Sequence, residues 1–280
     1  MQEVVDVAPT THAAARTRAV LWSAALCTIS ICSAAPAATA QSCHSSSLRP
    51  TSGLTYRATL SSVFGTFTRT NVRGEYQGLF VTGTVSHPWF TAELALPGYR
   101  IAQTGSHAYG PGDLAVNARA NAFRSADDSI SLGPELAATF PTGSADDGLG
   151  MGHVMLMPGG FVSWQHTGFT LITQLSYGRA LGSASTHDHG DGPSPIVNPM
   201  NRSELTHSVG FSASVHPNLR LTGRLMGAVT LFNHSGAARE IFAPGLHFIT
   251  GALDFALEQQ VPIVGTPFAS RTLMSVGAQW

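Results

Sequence analysis

Charged and amide side chains recur on the polar phase of stretches in which apolar and small polar residues alternate. They are Arg57, Glu93, Asn117, Arg119, Asn121, Glu135, Gln174, Arg220, Arg224, His247, Asp254, Glu258 and Arg271. If these side chains line a lumen, two uses are open. Rings of charge in a pore set ion selectivity. Arg–carboxylate pairs can also simply fill and brace a narrow interior. Arg119, Arg220, Arg224 and Arg271 stand against Glu93, Glu135, Asp254 and Glu258, so a balanced lumen with little anion or cation preference is expected.

The densest cluster of ligand-type residues is His187-Asp188-His189-Gly190-Asp191. Imidazole and carboxylate suit Zn, Cu or Ni. The two His are only two apart, and no second local set completes the four ligands of a closed zinc site. A solvated loop is the plainer expectation, and no cofactor is expected. Asp146-Asp147 is a weaker suggestion of calcium. Enzymatic chemistry is not expected either. There is no G-x-S-x-G elbow and no Gly-rich phosphate loop. His207-Ser208 are strand neighbours, whose side chains point to opposite faces.

The elements that must position these residues read as strands. From Leu219, one face carries Leu221, Leu225 and Val229 and the other Arg220, Thr222 and Arg224. The same period-2 pattern recurs in twelve segments: 54–68, 76–87, 89–99, 113–124, 129–141, 152–165, 168–180, 204–215, 219–232, 240–250, 251–261 and 268–280. Most exceed the usual length of about 5–6 residues and match the roughly 9–11 needed to cross a bilayer at a tilt. Tight turns alternate with longer connections, the longest being 100–112, 142–151 and 181–203. An all-β, closed, antiparallel up-and-down transmembrane barrel of about 12 strands is therefore expected over residues 54–280. A soluble sandwich would also alternate. It would have shorter strands and more charge outside.

Composition agrees. Only 11% of the 280 residues are charged, against about 25% in ordinary soluble domains. All 15 basic residues are Arg, and the net charge of −1 offers no basic face for nucleic acid. Residues 1–40 have the pattern of a cleavable signal peptide: Arg16 and Arg18, an apolar run from Ala19 to Cys32, Pro36, then Ala38-Thr39-Ala40. Residues 41–53 read as a flexible lead-in. Cys43, the one Cys beyond the leader, leaves no disulfide framework.

Three stretches carry a resemblance. They are Gly110-Pro-Gly-Asp-Leu-Ala-Val-Asn-Ala-Arg119, Leu132-Gly-Pro-Glu-Leu-Ala-Ala-Thr-Phe-Pro-Thr-Gly143, and Pro244-Gly-Leu-His-Phe-Ile-Thr-Gly251 leading to Val261-Pro262. A G-x-G-D turn into a strand, a strand closing in P-T-G and a late P-G-L strand resemble the outer-membrane transporters of the MetA-pathway phenol degradation family. The resemblance implies a porin-like barrel passing small aromatic or hydrophobic solutes. It implies a structural role for Gly112, Asp113, Pro141, Thr142 and Gly143, and it brings no catalytic residues. The expected location is a Gram-negative-type outer membrane. The expected partners are its lipid, a small solute, and the outer-membrane assembly machinery acting through the C-terminal strand that ends at Trp280. A non-conducting structural, adhesive or metal-binding barrel is the alternative.

Overall fold

The computed structural model describes residues 53–69, 72–181, 200–231, 238–265 and 268–280. The expected leader, Cys43 and the lead-in up to residue 52 lie outside the described residues, as does the His187–Asp191 cluster.

Fourteen strand segments form one antiparallel sheet closed on itself. They are β1 (Thr55–Arg69), β2 (Val72–His87), β3 (Phe90–Gln103), β4 (Ser106–Pro111), β5 (Leu114–Ala120), β6 (Phe123–Arg124), β7 (Ile130–Phe140), β8 (Val154–His166), β9 (Phe169–Leu181), β10 (Ser203–His216), β11 (Leu219–Thr230), β12 (Arg239–Thr250), β13 (Leu253–Val264) and β14 (Phe268–Gln279). Apart from β4 to β6, each pairs with its chain neighbours, and β1 pairs with β14, which closes the ring. The three short pieces β4, β5 and β6 are one interrupted stave. β4 and β5 both pair with β3, while β5 and β6 both pair with β7. The barrel thus has twelve staves, and closure of β1 on β14 leaves only the interrupted stave paired on one side in places, as β4 is with β3. The interruption after Ala120 folds over Gly133, where any Cβ would overlap the Ala120 carbonyl.

Five tight connections mark one rim: 88–89, 125–129, 167–168, 217–218 and 251–252. The long connections 141–153 and 182–202 leave from the opposite rim. Outside, apolar residues form the expected band, including Leu60, Leu94, Leu136, Leu175, Leu221, Leu225, Phe255 and Val276, each more than a third exposed. Exposed aromatics gather toward the tight-turn rim: Tyr56, Trp89, Phe90, Phe123, Trp164, Phe248 and Trp280. Such girdles mark the interfacial levels of membrane barrels.

One stretch corrects the expected layout. Residues 100–112 are not a long loop. β3 runs on to Gln103, turns at Thr104-Gly105 and returns as β4. Here the alternation changes sense. Tyr76 and Ile101 are buried inside, while Glu75, Arg100 and Tyr109 are exposed outside. An outer face free of hydrocarbon can be polar, so the hairpin is phased like a soluble sheet.

Candidate functional site

The barrel interior holds every charged residue selected for the lumen, and it divides along its length. Toward the tight-turn rim it is polar. Arg57 donates to Asp254 Oδ1 at 2.5 Å, and His247 Nε2 lies 3.3 Å from the same oxygen. Arg224 forks onto Glu258 at 2.9 and 3.3 Å. Glu258 also accepts from Gln260, whose carbonyl oxygen accepts from Arg271. Arg271 reaches on to the Tyr76 hydroxyl at 3.2 Å and stacks over the Phe268 ring. Glu135 is buried and accepts from Asn117 and Gln174, both at 2.9 Å, with Arg119 at 3.8 Å. Thr84 lies 3.5 Å from Glu93. The ion pairs Arg57–Asp254 and Arg224–Glu258 tie β1 to β13 and β11 to β13, so they brace staves across the interior.

Arg220 is the exception. Its carboxylate partners are none among the described residues, although it faces the same interior. Its cross-strand neighbours on that face are Ser214 and His247. It stands where two spaces meet. A vestibule of about 450 Å³ opens at the tight-turn rim between Asp127, Ser129, His166, Thr170, Ser214 and Arg220. A smaller pocket of about 50 Å³ continues inward past Arg220, Thr222, Arg224 and His247. Asp127, on the 125–129 turn at the vestibule mouth, is committed to its own turn. Its Oδ1 accepts from the Ser125 and Ser129 hydroxyls and from the Ser129 amide. Those bonds hold its carboxyl down at about 2.

Toward the long-loop rim apolar side chains take over much of the interior, against the expectation of a polar lumen, with the Glu204–Arg239 pair and the Arg271–Gln260 contact kept among them. Val63, Phe67, Tyr76, Phe80, Ile101, Met226, Ile241 and Phe268 pack together inside the wall, with Tyr99 and Leu273 against them. Leu149 joins this cluster from the 141–153 connection, which therefore folds into the barrel mouth. Beside it, Met151, Met155, Met157 and Met200 form a second buried group with Ala137. Asp113, at the bend between β4 and β5, latches the inserted loop. Its Oδ1 accepts from the Gly143 amide at 3.1 Å and its Oδ2 from the Met151 amide at 2.6 Å. Thr142 Oγ1 donates to the Gly112 carbonyl at 2.7 Å and accepts from the Leu114 amide at 2.8 Å. A Cβ on Gly150 would overlap Asp113 Oδ1, so this loop position must be glycine for the latch to close. The G-x-G-D and P-T-G stretches are thus the two halves of one clasp.

Sequence reading missed several members of the interior. Glu204 and Arg239 are almost fully buried and paired at 2.6 Å. Glu204 opens the 204–215 segment on its polar phase, and extending 240–250 by one residue reaches Arg239. The methionine group was signalled by Val154-Met-Leu-Met157, apolar on both phases, as a strand buried on both faces must be. On the outside, His207 Nε2 contacts the Glu240 carboxylate across Gly227, a polar spot beside the apolar band. Ser208, its chain neighbour, is buried on the inner face, so the two side chains do lie on opposite sides of the wall. Among the described residues no three His, Cys, Asp or Glu side chains come together as a metal site.

Comparison with solved structures places the fold among outer-membrane barrels. The translocator domain of the autotransporter NalP from Neisseria meningitidis superposes with a TM-score of 0.50 at 15% identity, over 82% of this chain and 88% of that one. The β domain of the Bordetella autotransporter BrkA gives 0.45 at 12% identity, over 82% and 100%. Salmonella typhi OmpF, solved in complex with daunomycin, gives 0.39 at 8% identity, over 81% and 97%. No family model matches the chain, and no curated protein matches it. What the NalP likeness establishes is a fold: a closed antiparallel barrel of the outer-membrane kind.

Proposed function

We propose that the protein is an outer-membrane channel for the passive passage of small aromatic or otherwise hydrophobic solutes. The observation that carries this reading is the two-part lumen: an apolar throat under a latched loop, followed by a polar vestibule open at the far rim. The long-loop rim then faces the exterior and the tight-turn rim the periplasm, as in bacterial outer-membrane barrels. An apolar throat resists wetting and holds back ions, while it offers a ring-bearing solute contacts that water does not. The motif resemblance to the phenol degradation family points to the same class of solute. On this reading the leader directs export, and the C-terminal strand ending at Trp280 engages the assembly machinery. The lumen residues Arg57, Glu93, Arg119, Glu135, Arg220, Arg224, His247, Asp254, Glu258 and Arg271 shape the path.

The packed interior favours one competing reading, a barrel that never conducts. Planar bilayers separate the two. Wild-type protein should give low ionic conductance, and releasing the clasp with Asp113→Asn should raise it severalfold. Silence from both proteins, with folding verified by heat-modifiable gel mobility, would leave only the closed structural barrel.

A further inference from the structure

We propose that the inner end of the vestibule is a binding subsite for the carboxylate of a small aromatic acid, with Arg220 as its anchor. The inference rests on the channel reading above for its biological sense, and on the site's own geometry for its chemistry.

The other inward arginines are committed. Arg57 is bonded to Asp254, Arg119 lies beside Glu135, Arg224 is bonded to Glu258 and Arg239 to Glu204, and Arg271 is held by Gln260 and Tyr76. Arg220 alone of this set has neither an ion pair nor a side-chain hydrogen bond among the described residues. Local acids cannot supply its counter-charge. Glu258 is engaged by Arg224 and Gln260. Asp127 is held by its own turn. Yet the fold spends a half-buried guanidinium here, at the junction of a 450 Å³ vestibule and the pocket behind it.

The lining fits an anion with an apolar body. Around Arg220 stand Gln165, Thr170, Ser212 and Ser214, all uncharged groups that can donate hydrogen bonds. Ile172 and Ala243 supply apolar surface deeper in the same pocket. A guanidinium presents a planar fork that matches a carboxylate two bonds at a time. The vestibule volume falls in the roughly 300–1,000 Å³ range of small-ligand sites. A solute whose ring suits the apolar throat would thus pass the paired Arg271 and Arg224 and meet at Arg220 a guanidinium without a counter-charge among the described residues.

Titration calorimetry on the purified full-length barrel in detergent micelles tests this, with benzoate, benzyl alcohol and inorganic phosphate as probes. Benzoate should bind saturably, and both other probes at least about tenfold more weakly. Arg220→Gln should weaken benzoate by about tenfold or more, the scale of a lost charged hydrogen bond, and Arg220→Lys should recover part of it. Ser212→Asp, which places a carboxylate inside the wall beside the guanidinium, should abolish benzoate binding as an internal competitor. It also serves if Arg220→Gln fails the gel-mobility check for folding. Benzyl alcohol binding as well as benzoate would overturn the proposal, as would phosphate binding equally well or benzoate binding unchanged in the variants. Because binding is read without a membrane, a silent bilayer would sink the channel reading and leave this result standing.

Discussion

The two halves of the barrel interior are made by the same staves and solve opposite problems. β11 shows both. Its inner face carries Arg220, Thr222 and Arg224 toward one rim and Met226 and Ala228 toward the other. In the tight-turn half the wall stays apart, water-sized space remains, and charges are tolerated because each has a bonded partner or an open vestibule. In the long-loop half the wall and one inserted loop enclose a small apolar core. There charged side chains are kept where they are bonded, as Glu204 is to Arg239 and Arg271 to Gln260 and Tyr76, and an unpartnered one would lose its hydration and gain nothing. The difference teaches that a barrel lumen need not be one environment. Its polarity is set by what fills it, stave position by stave position.

The sharpest way to break that contrast is to place one new charge in each half. Met157→Asp should destabilise the barrel by about 4 kcal/mol or more, or prevent folding, since a carboxylate there is buried among methionines and beside Glu204, whose partner Arg239 is already engaged. Ser212→Asp should cost less than about 1 kcal/mol, because Arg220 and open space are at hand. Denaturant titration in micelles measures both. Equal costs would show that the halves do not differ as described.

Weaker, but aimed at the boundary, is the clasp. Asp113→Asn replaces one of two accepting oxygens with an NH₂ that faces a backbone N–H. It should cost about 2 kcal/mol. The damage should be local, with amide exchange rising across 141–153 while the strands stay protected. In the polar half, Glu258→Gln keeps the shape but removes the counter-charge of Arg224. About 1 kcal/mol is expected, well short of the cost of stripping a dry buried pair, because the adjoining pocket admits water.

The smallest effect concerns pH at the vestibule mouth. Asp127 titrates at about 2 in the fold, against an ordinary 3.8. A depressed carboxyl stabilises the fold above its unfolded value and loses that contribution as pH falls through the folded one. The order of the 125–129 turn should therefore hold at pH 5 and fade between about 4 and 2. Ser125→Ala with Ser129→Ala should return the Asp127 midpoint, read by NMR, toward the ordinary value.

Much of this was legible in the sequence, and the misses share a cause. Strands such as β11 and β14 were readable because lipid demands apolar residues outside while the interior there is polar, so alternation is clean. The β3–β4 hairpin was not, because Arg100 and Tyr109 face outward and Tyr99 and Ile101 inward. The phase is reversed, and Pro97, Gly98, Pro111 and Gly112 look like loop residues. The apolar throat was hidden for a related reason. Where both faces are apolar, as at Val154–Met157, alternation vanishes and only composition remains. Charged interior residues could be chosen by phase, but their pairing could not. Arg57 meets Asp254 only because the ring closes. The singular position of Arg220 emerges only when the partners of all the others are known.

That closure has a kinetic side. Tyr56 and Trp280 exchange backbone hydrogen bonds in both directions at 3.0 Å, and the β1–β14 register runs on from Arg57 and Gln279. The seam joins positions about 220 residues apart, and contacts of such long range are slow to form. Until β14 arrives, β1 and β13 are both open templates for a stray strand. The ion pair between Arg57 and Asp254 spans the same gap, since β13 cannot reach β1 before β14 is in place between them. Sealing of the barrel thus waits on β14. A truncation there should leave not a slightly smaller barrel but an unsealed sheet.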